Sequence, residues 1–173
     1  MAYCEYIEDK NYDDGLQLVS RYPNLMITRS FSKIFGLGGL RIGWGYSNLE
    51  NISRMYKYKK PFNVSRLACV AAIESLRSKS WLKINIKNNI QNKKFTIENL
   101  RNQKFEVFDT HANFIILSFK SSLLANRFVQ YLNKHKVTVR LLKSYGLPNH
   151  VRMTIGTKLD MQKAVKISNQ FNV

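Results

Sequence analysis

Residues 30–46 read SFSKIFGLGGLRIGWGY. One lysine, Lys33, stands among small hydroxyl residues, and five glycines crowd around a single arginine, Arg41, eight positions on (41 − 33). Two common phosphate loops fail here. A Walker loop puts its lysine after the glycines, whereas Lys33 precedes them. A dinucleotide fingerprint needs G-x-G-x-x-G, but counting from Gly36 the sixth residue is Arg41.

What remains, S-x-S-K running into a glycine-rich loop and an arginine, suits a phosphorylated carbonyl cofactor. A lysine at a strand end can be desolvated and its amine made nucleophilic, as Schiff-base chemistry requires. The Ser30 and Ser32 hydroxyls can donate to phosphate oxygens, and Arg41 can clamp a phosphate with two parallel hydrogen bonds. Glycines let backbone approach a cofactor closely. The competing reading is a basic surface loop.

Outward from this stretch, NLMITRS gives a β-leaning run over residues 25–28, and a second strand is expected at 40–46. Residues 49–57 read as a helix stopped near Pro61. SRLACVAAIESLRS places Leu67, Val70, Ala71 and Leu76 at helical spacing. Residues 81–103 repeat apolar positions at Leu82, Ile86, Ile90, Ile97 and Leu100, the pattern of a long amphipathic helix with a basic outer face. The pattern then changes. FEVF, NFIILSF, KVTVRLL and HVRMTIG read as strands. A helix capped by Ser121 runs to about Lys134, and Thr157 with Asp160 opens a last helix in a capping-box arrangement. The expected fold class is α/β, with part of an α/β unit in residues 1–75 and an α+β lobe in residues 76–173.

The 173 residues carry 28 Lys+Arg against 11 Asp+Glu, a formal charge of +17. Clustered basic residues bind nucleic acid by releasing counterions. Here they are spread along the chain without a nucleic-acid motif, so a solvated basic surface is expected and no nucleic-acid partner. Cys4 and Cys69 are isolated, and His111, His135 and His150 have no metal spacing, so neither a disulfide scaffold nor a metal is expected. The longest apolar run falls short of a membrane span, and the acidic opening MAYCEYIEDKNYDDG is no signal peptide; a cytoplasmic location is expected. Trp44 is read as core, and Cys69 as packing on the apolar face of its helix.

Residues 28–47, TRSFSKIFGLGGLRIGWGYS, resemble the pyridoxal-phosphate lysine motif of fold-type I aminotransferases, most closely the histidinol-phosphate aminotransferases. AYCEY resembles that family's D-x-A-Y element, KYKKPFNVS the segment before its connecting helix, and SYGLPNHVRMTIGT its C-terminal substrate-arginine motif. The resemblance covers the C-terminal half of a family member. It implies the C-terminal part of the large, cofactor-binding domain in residues 1–75 and a complete or nearly complete small domain in residues 76–173. It further implies that pyridoxal 5′-phosphate is carried by Lys33, the catalytic amine. Ser30 and Arg41 would hold the phosphate, with Ser32 beside them, and Tyr3 would bond the cofactor's 3′ oxygen. Arg152 would pair with the substrate anion. Arg140 is either a second anion contact or a solvated strand-edge arginine. Asn113 is expected to be structural.

The implied reaction moves an amino group between an amino acid and a 2-oxo acid. Histidinol phosphate with 2-oxoglutarate is the specific expectation, and a related aminotransferase or phospho-amino-acid decarboxylase the alternative. The family works as a homodimer. Its D-x-A-Y aspartate would fall one position before Met1 (3 − 3 = 0). The chain is therefore expected to be N-terminally truncated and inactive alone, or to need a missing N-terminal half. A non-catalytic remnant or basic binding module is the remaining alternative.

Overall fold

The computed structural model describes residues 2–172. It forms two compact units, Met1–Asn85 and Ile86–Val173.

In the first unit, short 3-10 turns at Cys4–Tyr6 and Leu16–Ser20 precede strand β1, Met26–Ser30. A third turn, Gly38–Leu40, leads to β2, Gly43–Ser47, then helices α1, Leu49–Tyr56, and α2, Arg66–Arg77. β1 and β2 pair antiparallel, Met26 opposite Ser47 and Ser30 opposite Gly43. The second strand therefore begins three residues later than expected. Arg41 takes a left-handed backbone (φ 53°) at the end of the Gly38–Leu40 turn, which breaks extended structure there. Glycine is required at 43, because a Cβ would come within 2.6 Å of the Arg29 carbonyl across the hairpin. Asn48 caps α1 by accepting from the Asn51 amide at 2.9 Å, and Ser65 caps α2 through the Ala68 amide at 3.1 Å.

Two sequence expectations fail in this unit. Trp44 is 41% exposed on β2, not core; its indole lies against the Arg29 guanidinium. Cys69 is exposed as well. α2 buries its alanine face, Ala68 and Ala72, and leaves the larger Leu67, Val70, Ile73 and Leu76 outside. Helical periodicity located the helix but not which face turned inward.

Helix α3, Lys79–Asn102, runs into the second unit. There β3 (Glu106–Phe108), β4 (Phe114–Ser118), β5 (Arg140–Leu142) and β6 (Leu147–Thr154) form an antiparallel sheet in the order β3-β4-β6-β5. Helices α4, Ser122–Lys134, and α5, Lys158–Ser168, complete it. Alternation decides the buried face. Ile115 and Leu117 of β4 and Val151 and Met153 of β6 pack with Phe128 and Leu132 of α4 in one apolar core. Each such side chain contributes roughly 1.5–3 kcal/mol by leaving water. The last helix has the expected capping box, with Asp160 accepting from the Thr157 amide at 3.0 Å and Thr157 Oγ1 accepting from the Asp160 amide at 3.3 Å. No helix among the described residues is long and apolar enough to cross a membrane.

Candidate active site

Lys33 sits in a tight turn directly after β1, and the turn is pinned from inside. Phe31 and Ile34 on either side of it are buried, while Lys33 itself is exposed. The Phe31 amide donates to the Ile42 carbonyl at 3.2 Å, the Leu37 amide to the Phe31 carbonyl at 3.0 Å, and the Gly36 amide to the Lys33 carbonyl at 2.9 Å. Apolar anchors thus fix the turn, and its one cation points away from them. The sequence led us to expect a desolvated amine. In the chain's own fold Lys33 is exposed instead, because the turn buries its apolar neighbours, and its Nζ lies 5.4 Å from the Tyr3 ring centroid.

Ser30 and Ser32 flank this turn. The Ser32 amide donates to Ser30 Oγ at 3.0 Å, which fixes the Ser30 hydroxyl at the strand end beside the lysine turn. Gly38 approaches the same turn from the loop; a Cβ there would press on the Ser32 carbonyl at 3.2 Å. Arg41 is exposed, and its Nη1 donates to the Gly38 carbonyl at 2.8 Å, which leaves other guanidinium N–H groups to solvent or a ligand. Tyr3, Ser30, Ser32, Lys33 and Arg41 all belong to the Met1–Asn85 unit.

The two expected anion contacts lie in the other unit and turn out to be neighbours. Arg140 on β5 is the register partner of Arg152 on β6. Like charges directly opposite on adjacent strands repel, so this pairing favours an anion that both can face. Arg152 lies over the Phe114 ring at 5.3 Å and its buried Nε has no hydrogen-bond partner among the described residues, while Arg140 lies over the Tyr145 ring at 5.3 Å. Asn113 acts through its backbone, its carbonyl accepting from the Ile155 amide at 2.8 Å.

One feature of the first unit escaped the sequence reading. Arg29, next to last in β1, has an almost fully enclosed side chain and meets Asp14 and Glu5. A charged residue inside an apolar strand, preceded by the acidic turn DKNYDDG, was the available signal.

The fold and the lysine turn define a known class of transferase. The chain belongs to the class I and II aminotransferases, whose family model matches residues 1–167. Within that family it is similar to the histidinol-phosphate aminotransferase of Paracoccus denitrificans, 34% identical over 170 residues that cover 98% of this chain and 46% of the relative. Among solved structures, it superposes on a putative histidinol-phosphate aminotransferase from Erwinia carotovora atroseptica with a TM-score of 0.90 at 20% identity, covering 99% of this chain and 49% of the other. A histidinol-phosphate aminotransferase from Sinorhizobium meliloti, solved in complex with pyridoxal-5′-phosphate, matches with a TM-score of 0.89 at 21% identity, over 97% of this chain and 46% of the other. The fold is that of these α/β enzymes. The chain spans about half the length of the curated relatives it matches.

Proposed function

We propose that these residues serve a pyridoxal-phosphate-dependent transamination, most specifically between histidinol phosphate and 2-oxoglutarate. The observation that carries the reading is the Lys33 turn: an amine 5.4 Å from a tyrosine ring, on a turn flanked by two serines and followed by the exposed Arg41. The donor set fits the cofactor. Lys33 offers the amine for its carbonyl carbon, Ser30, Ser32 and Arg41 offer donors for its phosphate, and Tyr3 offers a phenol for its 3′ oxygen.

When bound, pyridoxal phosphate supplies an electron-poor ring that stabilises the electron pair left on the substrate α-carbon. Lys33 would hold the cofactor, and its Nζ is the base that would carry the substrate α-proton. Arg41 and the serines keep the phosphate end fixed, so that the proton transfer occurs at a set geometry. Arg152, with Arg140 beside it, pairs with the anionic group of the substrate. On this reading residues 1–75 are the cofactor-binding part and residues 76–173 the substrate-anion part. Small-molecule amino-acid and 2-oxo-acid substrates, a homodimeric assembly and a cytoplasmic setting belong to the same proposal. The exposed rings of Tyr58 and Phe62 in the first unit support the assembly, and Cys4 and Cys69, both outside any disulfide, support the setting.

Visible spectroscopy tests the reading. Added pyridoxal phosphate should give an absorbance band that is lost in Lys33→Ala, either in the chain alone or on co-expression with the upstream half of a relative. Glutamate should then form from histidinol phosphate in the competent sample. A band unchanged by Lys33→Ala would sink the proposal.

A further inference from the structure

Arg29 stands four residues before Lys33 in the chain, with a side chain only 9% exposed. Its Nη2 lies 2.9 Å from Asp14 Oδ2, its Nη1 lies 3.7 Å from Glu5 Oε1 and donates to Cys4 Sγ, and its Cζ lies 5.9 Å from the Trp44 ring centroid. Burial works against the charge, but Cys4, Glu5 and Asp14 together outweigh it and hold Arg29 above its ordinary value. Burial, reinforced by Glu5, pushes the Cys4 thiol up against the opposing pull of Arg29.

Buried ion clusters are a poor way to gain stability, since apolar replacements of similar shape often do as well. What such a cluster supplies is a fixed geometry, and its position here is informative. Cys4 and Glu5 immediately follow Tyr3 in a single 3-10 turn, whose own backbone bonds, Tyr6 amide to Tyr3 carbonyl and Ile7 amide to Cys4 carbonyl, are purely local. A lone turn of this kind does not hold its place unaided. Arg29 ties it to the strand that ends in Ser30 and continues to Lys33.

We propose that Arg29 is a positioning residue that sets the Tyr3 ring against the Lys33 amine, acting through Cys4 and Glu5 without touching cofactor or substrate. This rests on the reading of Tyr3 and Lys33 given above. The guanidinium fork spans two segments at once, Glu5 with Cys4 on one side and Asp14 on the other, which the single ammonium of a lysine does only in part.

The test uses the whole chain, cofactor-free and with pyridoxal phosphate as probe. In the free chain, nuclear Overhauser contacts between the Tyr3 ring and the Lys33 side chain should be present, absent in Arg29→Met, and weakened in Arg29→Lys. Borohydride trapping of pyridoxal phosphate at Lys33, read by peptide mass, should slow about tenfold in Arg29→Met, a change of about 1.4 kcal/mol. In a Tyr3→Phe background the same substitution should add little, because coupled residues are not additive. If Arg29→Met unfolds the unit, Glu5→Gln, which removes the longer ion pair, carries the test with the same expected losses. Preserved Tyr3–Lys33 contacts in the folded variant, or trapping losses that simply add to those of Tyr3→Phe, would overturn the proposal. No trapping at Lys33 in the unaltered chain would instead overturn the cofactor reading, and the Tyr3–Lys33 contacts would still decide the role of Arg29.

Discussion

The two units are held together by different means. In Ile86–Val173 a sheet and three helical segments close around one apolar core, and Phe128, Leu132, Ile115, Leu117 and Val151 are all fully buried. In Met1–Asn85 the buried apolar residues are few and small or scattered: Ala68, Ala72, Val19, Ile27, Phe31 and Ile34 with Cys4. Of the 20 large apolar side chains exposed among the described residues, 15 lie in this first unit, Leu67, Val70 and Ile73 of α2 among them. The lysine turn is thus built on two apolar anchors, Phe31 and Ile34, and local hydrogen bonds, outside any extended core. Arg140 and Arg152 are built on a sheet already fixed by its core.

The comparison breaks most easily at its strong end. Phe128→Ala should destabilise the second unit by about 3–5 kcal/mol, because a large ring leaves a cavity in a sealed core; denaturant unfolding followed by far-UV circular dichroism measures it. A loss below ~1 kcal/mol would mean that the core is not what holds this unit.

A smaller effect is expected from the arginine pair. Arg152→Gln should weaken binding of inorganic phosphate or a phosphorylated amine by about 1.5–3 kcal/mol, the worth of a charge-assisted hydrogen bond, with little change in thermal stability. Calorimetric titration reads the first quantity and a melting curve the second. Relief of the Arg140–Arg152 repulsion could leave the variant slightly more stable.

Thr157→Ala should cost about 1 kcal/mol by removing the α5 cap. The same cap makes a pH prediction. The Thr157 hydroxyl, followed by its backbone amide, holds the Asp160 carboxyl below its ordinary value. A depressed carboxylate contributes stability that is present above its ordinary value of 3.8 and is lost as pH falls through the lower folded value. The melting-temperature gap between the unaltered chain and Thr157→Ala should therefore narrow below about pH 4, and a gap that widened there would refute the assignment.

The smallest effect should be Leu67→Ala on the exposed face of α2, within about 0.5 kcal/mol by chemical denaturation. A cost above ~1 kcal/mol would show that this face is covered in solution and would erase the contrast between the units.

Much of this was legible in the sequence where periodicity and local chemistry agree. The capping box at Thr157 and Asp160, the alternation in NFIILSF and HVRMTIG, and the helix over SRLACVAAIESLRS all describe structure that forms. The lysine turn stood out through its resemblance to a family motif; the residues alone left a basic surface loop as the competing reading. What stayed hidden depended on contacts between distant residues. Periodicity placed apolar residues on α2 but could not say that Ala68 and Ala72, not Leu67 and Cys69, face inward. Trp44 looked like core because its bulk is apolar, yet its strand is paired on one side only and the indole stays on the surface against Arg29. The Arg140–Arg152 pairing is a matter of register, which no local pattern sets when the connection contains an irregularity between Leu141 and Leu142.

The measurement that bears most directly on the cofactor reading is the site of covalent capture. The chain is mixed with one equivalent of pyridoxal phosphate, reduced with borohydride, digested and read by mass spectrometry. Among the 18 lysines, the label should fall predominantly on the peptide containing Lys33, and Tyr3→Phe or Arg41→Gln should lower its yield. Labelling spread over surface lysines, with Lys33 no more reactive than the rest, would contradict the assignment of the lysine turn as the cofactor site.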